Sequence, residues 1–212
     1  MTLKWFPETA GVRLGDSLEV DSDGNISSKV AGWAHMKPVA ATYTAGNYAA
    51  ATMTTLAATA NTVQLYPAIW AESFTIDAIA YACTTASTTG VCKAAVYASN
   101  NDGRPTGTPL ITGAQQSNTA TGTKEDATVS LAIKAGRQYW LAIHTGTANV
   151  TVRAIAVGGL SALGTTPAAT TSYTGLTYSQ TYSSGLPDLT SVSWASANLS
   201  TAARPAIYLR VA

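Results

Sequence analysis

Carboxylates are the residues with the most obvious chemical potential in this chain, because two carboxyl groups held close together can act as general acid and base. Four of the eleven Asp and Glu residues fall between positions 16 and 23, in a segment whose pattern predicts a hairpin. Glu125 and Asp126 are neighbours in a stretch that we predict to be a polar loop. Acids in such places are normally solvated, so we expect turn carboxylates rather than a catalytic pair.

The oxygen-rich run Asp21-Ser-Asp23-Gly-Asn25 is similar to the start of a calcium-binding loop. An EF-hand would place a bidentate Glu at the twelfth loop position, which is Gly32 here. We therefore predict a turn at this place, with a weak cation site as the alternative. We predict no metal site and no cofactor.

Nucleophilic catalysis would need a base beside a Ser or Cys. The chain has no G-x-S-x-G elbow, no phosphate-binding loop and no H-E-x-x-H helix. Its two histidines, His35 and His144, are far apart, and His144 follows an apolar strand-like run, which favours an ordinary surface or core histidine. The sequence therefore predicts a protein that is not an enzyme.

The two cysteines, Cys83 and Cys92, have eight residues between them. Alternation places each of them on the apolar side of a strand-like run, so we predict that they face one another across a hairpin. Antiparallel neighbours lie within disulfide range. The pair is thus either a disulfide or two buried thiols, and a reducing cytoplasm favours the thiols.

The feature that most suggests a role in binding another molecule is the Ser/Thr/Tyr/Gly-rich tract over 161–205, which has hardly any charge. Tyrosine brings a large contact area at low entropic cost, which is why binding loops use it. The candidate residues for surface recognition or for an interface are Tyr173, Tyr178, Tyr182 and Trp194. The alternative is that these rings cover the domain itself or a contact between subunits.

Composition limits the class of protein that could present these residues. The 212 residues are 46% hydrophobic and only 11% charged, with a net charge of +1. That balance gives no electrostatic footprint for nucleic acid and argues against disorder. No apolar run approaches membrane-spanning length and the first residues lack a secretory signal, so we expect synthesis in a cytoplasm and no membrane insertion. A surface so poor in charge suits a protein held in a dense assembly.

Residues 1–38 are predicted to form an N-terminal arm. Within it, alternating apolar residues flank Asp23-Gly24, which is a strong signal for a β-hairpin over 17–26. The arm also holds Trp5, Phe6 and Trp33, which a segment this short cannot bury alone. We expect these aromatic residues to dock onto the main domain or onto a partner.

Residues 39–212 are predicted to form one all-β domain. Short strand-like runs with turn residues between them indicate a sandwich or barrel, and they fall at 63–69, 74–83, 92–98, 128–133, 139–145, 149–157 and 206–211. Residues 161–205 show no clear period and are predicted to be one long loop. No stretch has the sustained periodicity of a capped helix.

Four segments carry a resemblance to a known family: 74–81 (FTIDAIAY), 93–105 (KAAVYASNNDGRP), 129–144 (VSLAIKAGRQYWLAIH) and 204–211 (RPAIYLRV). Together with the runs between residues 62 and 157, the chain resembles the jelly-roll modules of tailed-phage tail fibres, spikes and head fibres. The resemblance implies a jelly-roll-like antiparallel β-sandwich and brings no catalytic residues. It also implies a homo-oligomer, with a trimer favoured, that contacts other virion proteins.

Three functions follow as expectations. The first is a non-enzymatic virion structural protein of fibre or spike type, attached by its arm and contacting the host surface, with a surface glycan as one form of receptor. A head decoration or head-fibre role is the alternative within that class. The second is a bacterial carbohydrate-binding module, and the third is a glycan-cleaving enzyme, which would need an acid pair in a groove.

Overall fold

The computed structural model describes residues 18–20, 26–28, 39–45, 53–146, 150–156 and 173–212. The strands in this part of the chain are β1 Leu18–Val20, β2 Ile26–Ser28, β3 Tyr43–Thr44, β4 Met53–Ala57, β5 Thr62–Ile69, β6 Phe74–Thr85, β7 Val91–Ser99, β8 Pro105–Thr112, β9 Gln116–Ser117, β10 Gly122–Asp126, β11 Leu131–Ile133, β12 Gln138–Thr145, β13 Thr151–Ile155, β14 Gly175–Ser179, β15 Leu199–Ser200, β16 Arg204–Pro205 and β17 Ile207–Val211. Two 3₁₀ helices, η1 Tyr182–Ser184 and η2 Ser196–Asn198, complete the described elements.

The strands build two antiparallel sheets that pack as a jelly-roll-like sandwich, which confirms the predicted fold class. In the eight-stranded sheet, β6 is central: β10 and β11 pair with one edge, and β13 and β17 with the other. The seven-stranded sheet runs β15-β14-β5-β12-β7-β8, with β9 also on β7. The predicted arm hairpin is present as β1 paired with β2. All seven predicted runs correspond to strands.

The main core lies between the two sheets and follows from alternation along each strand. In β12, Tyr139, Leu141 and Ile143 point inward because successive side chains of a strand face opposite ways. In β6 the alternation changes phase, since both Ile76 and Ile79 are inward. A bulge explains this: β17 pairs Arg210 with Ala78 but Val211 with Ile76, which leaves one extra residue in β6.

A second core lies on the opposite side of the seven-stranded sheet. We name residues 173–200 the cover segment: its strands β14 and β15 extend the sheet beside β5, and the chain between these two strands packs across that face. The buried members of this core are Val63, Leu65, Ala95, Tyr97, Trp140, Ala142, Leu176 and Leu189. The prediction of one long loop over 161–205 is therefore wrong from residue 173 onward, while 157–172 lie outside the described residues. The tract folds back because the sheet has an apolar outer face that must be covered.

The hairpin predicted to join the two cysteine-bearing strands is also wrong. β6 belongs to the eight-stranded sheet and β7 to the seven-stranded sheet, so the chain between them crosses from one sheet to the other. Alternation identified the apolar face of each strand correctly. It could not show that the two faces meet across the core rather than lie side by side in one sheet.

Strand β8 was missed because Pro105 and Pro109 were interpreted as loop residues. It is an edge strand of the seven-stranded sheet, where proline is tolerated. Its pairing with β7 passes from Thr106 opposite Ala98 to Ile111 opposite Val96, so residues 107–110, which include Pro109, bulge out of the ladder. The turn before β8 was predicted correctly, and Gly103 adopts φ +72° there.

Candidate recognition surfaces

The tyrosine-rich tract belongs to the cover segment and packs on the domain itself. Tyr178 and Trp194 meet edge to face with ring centroids 6.2 Å apart, and both contact the second core. The Trp194 indole N–H donates to the Pro105 carbonyl at 3.1 Å, which ties the cover to the first residue of β8. Tyr173 is half-buried just before β14. For Tyr178 and Trp194, the structure favours covering of the domain over a freely projecting recognition loop.

Tyr182, also in the cover segment, packs over the buried His144. Its ring is 4.9 Å from the His144 ring, and the Lys93 ammonium lies 5.1 Å from the Tyr182 ring centroid. His144 has no exposed surface and its Nε2 is 2.9 Å from the Gln180 carbonyl oxygen. Burial raises the pKa of the Tyr182 hydroxyl and lowers the pKa of His144. The sequence favoured an ordinary surface or core histidine, and the structure places His144 in the core, held by the cover segment.

Cys83 and Cys92 are free thiols, and both are buried in the main core. The Cys83 thiol donates to the Thr85 carbonyl at 3.4 Å, and the Cys92 thiol to the Thr145 hydroxyl at 3.7 Å. Burial raises the pKa of Cys83 and raises that of Cys92 to about 11. Of the two alternatives predicted, the structure has the buried thiols. At neutral pH they are protonated and behave as small apolar side chains.

The outer face of the eight-stranded sheet carries a charged cluster that the sequence did not reveal. Arg210 donates from Nε to Asp77 at 2.7 Å and from Nη1 to Glu125 at 2.6 Å. The Tyr43 hydroxyl donates to the other oxygen of Glu125. The hydrogen bond from Arg210 lowers the pKa of Asp77, and the hydrogen bond to Glu125 raises the pKa of Tyr43. Asp77 is the residue of β6 that the bulge leaves unpaired, and its side chain reaches Arg210 on this face.

Aromatic and apolar side chains lie on the same outer face as this charged cluster. Tyr43 packs edge to face on Tyr208 with centroids 6.5 Å apart, and both Tyr43 and Met53 are more than 40% exposed. Alternation along β13 places Arg153 on this face too, since Val152 and Ala154 point into the interior. We name Tyr43, Met53, Arg153, Tyr208 and Arg210 the open face. One sequence signal was available, namely the alternation of Tyr208 and Arg210 with apolar residues in β17.

Glu125 and Asp126 are not solvated loop carboxylates, so that expectation is wrong. Both belong to β10, where Glu125 joins the open-face cluster and Asp126 is buried. Asp126 accepts hydrogen bonds from the Ala114 amide at 2.6 Å and from the Thr128 hydroxyl and amide at 2.6 and 2.9 Å. These bonds lower the pKa of Asp126. The two acids face opposite ways, and each has a structural partner.

Other predicted features lie partly outside the described residues. Trp5, Phe6 and Trp33 of the arm are outside them, as is the turn 21–25 that was weighed as a weak cation site. The described part of the chain contains no group of three or more His, Cys, Asp or Glu residues placed to hold a metal. No helix in that part is both long and apolar enough to span a membrane.

Comparison with known proteins finds no family model, no curated protein and no solved structure that matches the chain. The resemblance to phage jelly-roll modules therefore stays a prediction.

Proposed function

We propose that the protein is a non-enzymatic structural component of a tailed-phage virion, a fibre or spike module that works as a homo-oligomer, with a trimer favoured. In this role it contacts other virion proteins and the host cell surface. The proposal is supported by the four segments that resemble such modules, by the jelly-roll-like sandwich and by a chain that is only 11% charged. A charge-poor surface is suited to dense assembly.

The observation that carries the proposal is the contrast between the two outer faces of the sandwich. Among the residues that the structure describes, the outer face of the seven-stranded sheet is covered by residues 173–200, whereas none of them covers the open face of the eight-stranded sheet. Tyr, Met and Arg are enriched in the cores of protein interfaces, and the open face combines all three. It is therefore the surface that we assign to contact between copies.

The charges of the open face are compatible with such a contact. Arg210 is paired with two carboxylates, which leaves one negative charge in the cluster, and the exposed Arg153 places one positive charge on the same face. A paired charge can enter an interface at much lower cost than an isolated one, because its hydrogen bonds are already made. A second copy would meet aromatic rings, the paired Arg210 cluster and the exposed Arg153 on this face.

The oligomeric contact is tested by light scattering coupled to size exclusion on the full chain. Met53→Lys places a new charge on the open face, and Leu110→Lys is its matched control on β8, because the two side chains are 44% and 45% exposed. We expect an oligomer for the parent and for Leu110→Lys, and dissociation for Met53→Lys with an unchanged far-ultraviolet spectrum. A parent protein that is monomeric at micromolar concentration would contradict the proposal.

The place of the protein in the particle is tested with fluorescently labelled protein. Saturable binding to candidate host cells, in competition with adsorption of the intact particle, is the result expected for a receptor-binding fibre. Binding only to particles that lack the protein would indicate a head decoration or head fibre. Binding of glycans by a monomer, with no virion partner, would instead indicate a carbohydrate-binding module.

The arm is proposed as the virion attachment segment, because it holds Trp5, Phe6 and Trp33. Deleting residues 1–38 should abolish incorporation into particles. Normal incorporation of the deletion variant would exclude this role.

A further inference from the structure

His144 lies where the cover segment meets the end of β12. It belongs to the outer face of the seven-stranded sheet, and the turn formed by residues 180–184 lies on top of it. The Gln180 carbonyl oxygen can only accept a hydrogen bond, so its 2.9 Å contact requires a hydrogen on His144 Nε2. In the neutral ring the hydrogen is therefore on Nε2, and Nδ1 carries a lone pair.

The 180–184 turn is attached to the sheet by few bonds. The Gln180 amide donates to the Asn61 carbonyl at 2.9 Å, and the Tyr182 amide donates to the Asn61 side chain at 2.9 Å. The other contacts described are the hydrogen bond between His144 and the Gln180 carbonyl and the packing of the Tyr182 ring against His144, Lys93 and Gly146. A segment held by so few contacts can open locally without unfolding the rest of the domain.

A proton on His144 would conflict with the closed arrangement in two ways. Nδ1 is buried and has no hydrogen-bond partner among the described residues, so a new N–H there would be unsatisfied. Lys93 is the cross-strand neighbour of His144, so a second positive charge would lie directly beside the first.

The groups around His144 offer no compensating negative charge. Among the described residues, strand β7 contributes Lys93, the 180–184 turn contributes Tyr182, and β5 contributes Val63 opposite His144. Burial and Lys93 both act to lower the pKa of His144. The protonated ring is better accommodated when it reaches water.

We propose that His144 and the 180–184 turn form a pH-sensitive switch, in which protonation of the imidazole releases this turn from the seven-stranded sheet while the two-sheet sandwich stays folded. The opening uncovers the end of the second core near Val63. It requires no change of oligomeric state and is independent of the role proposed above.

Linkage fixes the direction and the steepness of the effect. The closed form binds the proton more weakly than the open form does, and the open form binds it with the ordinary histidine pKa of about 6.5. The opening equilibrium is therefore constant above this value and increases as the pH falls below it, by at most about tenfold per pH unit for one proton. It becomes constant again below the pKa of the closed form.

Hydrogen exchange of the full chain, measured between pH 5 and pH 8 and corrected for the intrinsic exchange rate, tests the switch. The Gln180 and Tyr182 amides should lose protection as the pH falls, whereas the Leu141 amide in β12 should not. His144→Gln retains a donor for the Gln180 carbonyl but cannot titrate, so it should abolish the pH dependence. The chain has one other histidine, so His35→Gln is the matched control and should behave as the parent. An unchanged pH dependence in His144→Gln, or its loss in His35→Gln, would overturn the proposal.

A second measurement keeps the proposal testable if His144→Gln does not fold. The His144 ring is titrated by NMR in the parent protein, with assignment by comparison with His35→Gln. A midpoint below 6.5 that accompanies the loss of protection at Tyr182 is expected. A midpoint at or above 6.5 would refute the switch, because the closed form would then not exclude the proton.

Discussion

Replacing Leu189 with alanine tests whether the cover segment is part of the folded domain. Leu189 is 1% exposed and packs in the second core, and its amide donates to the Gly107 carbonyl at 2.9 Å. The substitution keeps this backbone bond and removes only the side chain. Because leucine-to-alanine changes at buried sites typically cost about 2–5 kcal/mol, we expect a loss of that size in the free energy of unfolding.

The measurement is urea denaturation followed both by tryptophan fluorescence and by far-ultraviolet circular dichroism. Leu110→Ala is the matched control, because it makes the same chemical change at a side chain that is 45% exposed. At such a surface position the effect is usually within about 0.5 kcal/mol. Equal, small effects for Leu189→Ala and Leu110→Ala would refute our reasoning. They would indicate that the cover segment is a solvated loop and not part of the folded domain.

Two further predictions concern buried polar groups. Cys83 and Cys92 should not react with a thiol reagent at pH 8 until the protein is unfolded, because both are buried and the pKa of Cys92 is raised to about 11. Rapid modification of the native protein would contradict this prediction. So would an intact mass that is lower by two hydrogens, which would indicate a disulfide. Asp126→Ala should lower the free energy of unfolding by about 1–3 kcal/mol, because it removes the hydrogen bonds that a buried, charged carboxylate accepts from Ala114 and Thr128. Asp188→Ala removes the same contact to a threonine from an exposed carboxylate and should have no measurable effect. Since the pKa of Asp126 is lowered, its contribution should be present above the ordinary aspartate value of about 3.9 and be lost as the pH falls below it, which acid titration of the parent and of Asp126→Ala would show.

Local pattern predicted the fold class and most of the central strands, because their apolar content is dense and bounded by turn residues. It missed β4, β8, β10 and β14, which are rich in Thr, Gly, Pro or charge and are held by pairing with distant strands. The assignment of β6 and β7 to one hairpin failed for a related reason. Which sheet a strand joins depends on contacts across the core, and no short window of sequence contains these.

The candidate site could be predicted only in part. Tyr178, Tyr182 and Trp194 were identified correctly as notable residues, but their packing inward depends on an apolar face built from three other strands. A signal did exist, because β12 is apolar at consecutive positions from Tyr139 to Ile143, a pattern typical of strands buried on both sides. For the Arg210 cluster the signal was weaker: alternation in β17 places Tyr208 and Arg210 outward, but the contact of Arg210 with Asp77 and Glu125 depends on the pairing of distant strands.

The burial of β12 on both of its faces determines where this protein can tolerate change. Between Tyr139 and His144 no side chain reaches solvent, so a charged substitution there would enter one core or the other. The substitutions that this strand can tolerate are therefore those among apolar residues of similar volume. If the surface of the protein has to follow a changing partner, the variation must be carried by loops and by the open face, while β12 stays nearly fixed.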